Sequence, residues 1–117
     1  MSGLQIRAAW RPLELAETIR LESAVGVYEV RVDGVLHQIS YAGGRSRFGL
    51  RGELGALVGT WAGAEFRAEV NSAYLTRWHE LLAARLAETG TVPPGNDPRD
   101  LPRPLRPVGS RGEVAAL

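Results

Sequence analysis

An α+β domain, with a small three-stranded antiparallel sheet flanked by helices, is the fold class that the sequence predicts. Three observations predict it. Asp33-Gly34 separates two β-rich runs, residues 27–32 and 35–41. Ala62, Ala64, Phe66, Ala68 and Val70 alternate with Glu65, Arg67 and Glu69, the period of a half-buried strand. Tyr74, Leu75, Trp78, Leu81 and Leu82 then recur at helical spacing.

Taken in order, residues 1–24 read as a lead-in, in which Pro12 starts a short helix through Leu13, Leu15, Ile19 and Leu21. Strands follow at 26–32 and 35–41, because Asp-Gly between β-rich runs is a strong hairpin signal. Residues 42–63 hold seven of the fourteen glycines, first as a loop and then as a weak helix near 48–58. The third strand spans 62–70. Asn71-Ser72 offers an N-cap, the last helix runs to about Glu88, and Gly90 stops it. Residues 91–117 carry six of the seven prolines and read as an extended Pro-rich C-terminal tail that either wraps the domain or stays mobile. The expected organisation is thus a lead-in to 24, one domain over 25–90, and the extension.

A chain of 117 residues supports one core. Its composition, 44% hydrophobic and 23% charged, is that of a soluble globular domain. There is no cysteine, which excludes disulfides, thiolate metal sites and cysteine nucleophiles. No apolar run suffices to span a bilayer, and the N-terminal residues lack a secretory pattern, so a cytoplasmic protein is expected. The net charge of +1 is not that of a strongly basic nucleic-acid binder. All fourteen cations are arginine, whose planar fork suits phosphate, although a GC-rich coding sequence also produces that bias. Local placement has to decide.

A straight hairpin around Asp33-Gly34 pairs Val30 with His37, Tyr28 with Ile39 and Gly26 with Tyr41. Tyr28, His37 and Tyr41 then share one face, and the two tyrosines become diagonal neighbours about 7–8 Å apart. The turn at Gly43-Gly44 brings Arg45, Arg47 and Arg51 near them. Two phenols beside arginines suit an anionic, phosphate-like group; the alternative is that the tyrosines simply pack the core.

Gly26-Val27-Tyr28, twelve residues, then Tyr41-Ala42-Gly43, with Arg51 eight positions past Gly43, resembles the signature of the GIY-YIG nuclease family over roughly residues 25–88. The resemblance implies a divalent-metal-dependent endonuclease acting on nucleic acid, DNA first. Tyr28 or Tyr41 would help deprotonate water, and Arg51 would steady the charged transition state. One magnesium or manganese ion would sit on a glutamate of the last helix. The inward helical position belongs to Trp78, so that ligand falls to Glu80, with Glu69 as the alternative; helix phase makes Glu80 an ordinary solvated residue on its other reading. His37 is a candidate base or phosphate-orienting residue, or a packed hairpin histidine. Arg45 and Arg47 are candidate nucleic-acid contacts, or solubilise a glycine-rich loop. Asn96 resembles an asparagine that follows the last helix in some relatives. The alternatives to a nuclease are a catalytically degenerate domain that binds nucleic acid or a protein partner, and a pocket turned to small-molecule chemistry. Further contacts for target specificity would come from Trp10, the Pro-rich tail, a homo-oligomer interface or a partner subunit.

Overall fold

The computed structural model describes residues 5–97 and residue 99. Of the Pro-rich tail expected over 91–117, residues 91–97 and 99 are described and the rest lies outside the described residues. In chain order the elements are β1 (Arg11–Pro12), α1 (Leu15–Thr18), β2 (Gly26–Val32), β3 (Val35–Ala42), α2 (Gly49–Gly55), β4 (Ala64–Val70) and α3 (Tyr74–Thr89). The sheet has four strands in the order β1-β4-β2-β3, with every pair antiparallel. The expected three strands are therefore joined by a fourth. Pro12 sits in that short edge strand, where its missing N–H does no harm, rather than opening a helix. Among the described residues no helix is long and apolar enough to cross a membrane.

Helices cover both faces of the sheet, which explains why five consecutive residues of β2, from Gly26 to Val30, are buried. On one face Tyr28, Val30, Ala42, Ala64 and Phe66 pack with Leu13 and with Leu50 and Leu54 of α2. On the other, Val27 and Ile39 pack with Ile6 and with Leu81 and Leu82 of α3. Leu13 and Ile6 come from the expected lead-in, so residues before 25 complete both cores. Gly26 is required by a close approach: a Cβ there would run into the Glu69 carbonyl oxygen on the neighbouring strand.

Asp33 and Gly34 both take positive φ, 53° and 77°, as a tight hairpin turn of this kind demands. The pairing beyond the turn departs from the straight register. Val32 faces Val35 and Arg31 faces Leu36, but Val30 faces Gln38, Tyr28 faces Ser40 and Val27 faces Tyr41. His37 is the extra residue of a β-bulge. One inserted residue reverses the facing of every residue after it. Tyr28 and Tyr41, expected as neighbours on one face, consequently stand on opposite faces of the sheet.

Strand β3 is an edge, and the segment after α3 closes it. The side-chain amide of Asn96 accepts from the Ile39 N–H and donates to the Ile39 carbonyl, both at 2.8 Å. Trp78 Nε1 donates to the same carbonyl at 2.9 Å, and the Gly95 N–H donates to the His37 carbonyl at 2.7 Å. A strand edge that would otherwise be open is thereby satisfied.

Candidate functional site

The α2 side holds Tyr28, which is only 3% exposed. Burial pushes its phenol pKa up, the hydrogen bond with Ser40 lowers it, and the nearby Glu53 carboxylate raises it further. A phenol so placed is held neutral and away from solvent, opposite to what a base for water requires. His37 packs edge-on against Trp61, 4.8 Å between ring centres. Trp61 itself lies against the Tyr28 core. Arg51 is exposed on α2, where its Nε donates to the Leu21 carbonyl at 2.9 Å.

Tyr41 occupies the α3 side. Its ring stacks on Tyr74 at 5.5 Å and meets Trp78 edge-on at 4.9 Å. The structure therefore does not gather Tyr28 and Tyr41 into one site. It does place Tyr41 beside the loop 43–47. The Gly44 N–H donates to Tyr74 Oη at 3.1 Å, and the Gly43 N–H donates to Ser46 Oγ at 3.1 Å. Ser46 Oγ in turn donates to Glu53 at 2.8 Å. A Cβ on Gly43 would come within 2.8 Å of the Tyr74 ring, so the second motif glycine lets loop and ring meet. Tyr41, Tyr74, Arg45 and the two glycines line a concavity of about 330 Å³.

On the α3 side, Arg31 pairs with Glu65, Arg67 with Glu29, and Arg77 with Glu69 and Glu80. Among the described residues, Arg45, Arg47 and Arg51 have no carboxylate within ion-pair reach. Arg47 lies over the exposed Phe48 ring at 5.6 Å. The loop and the start of α2 thus carry three cations without a carboxylate partner among the described residues.

The two glutamates proposed as metal ligands share one guanidinium. Arg77 donates to Glu69 at 2.9 Å and to Glu80 at 3.3 Å. Burial pushes the Glu69 carboxyl pKa up, but the hydrogen bonds from Arg77 and Asn71 and the Arg77 charge outweigh it, leaving it below the ordinary value. Glu80 is half exposed on the outer side of α3. These carboxylates face an arginine rather than an open coordination position, which does not fit a magnesium site. Among the described residues no group of three or more His, Asp or Glu side chains comes together to hold a metal ion.

Glu29 is a residue that sequence reasoning missed, and Trp10, named there only as a possible contact, has a defined place. Glu29, in the middle of β2, accepts from Arg67 Nε at 2.6 Å with only 5% of its side chain exposed. Burial raises its pKa by more than the hydrogen bond from Arg67 and the charges of Arg67, Arg77 and Arg85 lower it. Trp10 lies under two guanidiniums, Arg31 and Arg67, each 4.4 Å from its ring centre. Glu29 could have been suspected as a lone charge inside the apolar run Gly26 to Val30. No family model, curated protein or solved structure matches the chain.

Proposed function

We propose that this domain binds single-stranded nucleic acid and does not hydrolyse it. Phosphates contact Arg45, Arg47 and Arg51, and a base lies against Tyr41 and Tyr74. The observation that carries the reading is Arg45, without a carboxylate partner among the described residues, lining one concavity with a stacked tyrosine pair. Arginine matches phosphate with two parallel hydrogen bonds. Aromatic rings beside a cationic groove are the usual platform for unpaired bases. The concavity of about 330 Å³ accommodates one base or sugar rather than a duplex. The GIY-YIG resemblance supports a nucleic-acid partner, and the buried Tyr28 and the arginine-held Glu69 and Glu80 argue for binding without cleavage.

Fluorescence anisotropy with labelled single-stranded DNA and RNA tests it. The double variant Arg45→Ala/Arg47→Ala should bind at least about tenfold more weakly, since each phosphate-facing arginine contributes on the order of 1 kcal/mol. Wild-type affinity retained in that variant would remove the proposal.

Hydrolysis is the second reading, favoured by the eight-residue offset between Gly43 and Arg51. It requires Arg77 to release a glutamate, and either Tyr28 to leave the core or Tyr41 to act as the base. Plasmid nicking with magnesium or manganese, lost in Arg51→Ala, would establish it in place of the binding-only reading.

A further inference from the structure

We propose that the α3 face carries a separate site for a small organic monoanion, a carboxylate with an apolar body. A cleft of about 520 Å³ opens between β2, β3 and the second half of α3. Its size is that of a pocket for a molecule of a few rings. Leu36, Ile39 and Leu81 give it an apolar wall, and the Trp10 ring closes one side.

The charged lining is what selects the ligand. Glu29 and Arg67 already satisfy each other at 2.6 Å, leaving Arg85 as the remaining cation of the cleft. Arg85 Nε is buried and has no hydrogen-bond partner, and the same side chain reaches Glu88 only at 3.9 Å, where Glu88 is 75% exposed. Native proteins seldom leave a buried guanidinium donor unused, because its lost hydration is not replaced. An oxyanion entering the cleft supplies the acceptor. Glu88 is exposed at the rim, and within the cleft Arg67 and Arg85 exceed the buried Glu29 by one positive charge, so one negative charge on the occupant is matched. This site lies on the same face as Tyr41 and Tyr74 and across the sheet from Arg51, and uses none of the residues assigned to nucleic acid.

The probes are 2-naphthoate and its uncharged isostere 2-naphthamide, titrated into the full chain. Binding is followed on the Arg85 Nε–H and Trp10 indole signals by nitrogen–proton correlation NMR. Naphthoate should give saturable shifts of both signals and bind at least about fivefold more tightly than naphthamide, the preference expected for one charge-assisted hydrogen bond in a half-buried site. Arg85→Met should abolish that preference. Ala87→Trp, placed at an exposed position at the mouth, keeps the arginine and should block both probes. Absence of saturable shifts, equal affinity for the two probes, or a preference that survives Arg85→Met would overturn the proposal. Loss of oligonucleotide binding in the Arg45→Ala/Arg47→Ala variant leaves these outcomes untouched, so the two proposals fail separately.

Discussion

Replacing Asn96 with alanine probes how the segment after α3 is tied to the sheet. The substitution removes two hydrogen bonds of 2.8 Å to Ile39. The Ile39 carbonyl keeps its bond from Trp78 Nε1, so the loss on that side is about 1 kcal/mol. The Ile39 N–H loses its partner inside the protein, which costs about 1–3 kcal/mol for a buried donor. Together the change should destabilise the domain by about 2–4 kcal/mol. Trp78→Phe removes the other donor to the same carbonyl and, with Asn96 still in place, should cost about 1–2 kcal/mol. In the double variant the carbonyl has neither donor. The combined loss should exceed the sum of the single losses by about 1 kcal/mol. Urea unfolding followed by circular dichroism, with an unchanged denaturant slope, measures all four corners of the cycle. An Asn96→Ala effect below about 0.5 kcal/mol, or strict additivity, would show that this segment does not hold the β3 edge as described.

Glu69→Gln should lower stability by about 1 kcal/mol near neutral pH, because Arg77 loses a charged acceptor. The folded-state pKa of Glu69 lies below its ordinary 4.5, so its contribution is present above that value and fades as pH falls through the folded value. The gap between wild type and variant should therefore narrow in urea titrations run at about pH 3, and a gap that widens there would refute the assignment. Gly26→Ala should cost at least about 2 kcal/mol, since the new methyl meets the Glu69 carbonyl on a paired strand. Gly55→Ala, where a Cβ meets nothing, should instead stabilise by about 0.5 kcal/mol, and thermal melts that fail to separate the two would contradict the packing described.

The elements that were legible in the sequence are those with a strong local cause. The Asp33-Gly34 turn, the alternation through Phe66 and Ala68, and the α3 stripe with Gly90 in the left-handed cap all stand where pattern and turn chemistry put them. The face of each tyrosine was not legible, because it depends on a bulge at His37 that turn chemistry does not encode. One signal was present: Leu36 and Ile39, apolar at a spacing of three within a strand, both pack on the α3 side. A straight strand would have put them on opposite faces. Two-residue β1 has too little sequence to show a period at all. For the candidate site, the motif glycines are explained by close approaches, Gly26 to Glu69 and Gly43 to Tyr74. The pairing of Glu69 and Glu80 through Arg77 joins β4 to α3, a contact that single-element periodicity cannot reveal.

Nucleic-acid binding through the 43–51 segment is tested most directly by the salt dependence of affinity. Each phosphate neutralised on a single strand contributes about −0.7 to the slope of log affinity against log salt. Contacts from Arg45, Arg47 and Arg51 predict a slope of about −2 for the wild-type domain and about −0.7 for Arg45→Ala/Arg47→Ala. A wild-type slope near zero, or one that the double variant leaves unchanged, would contradict the account.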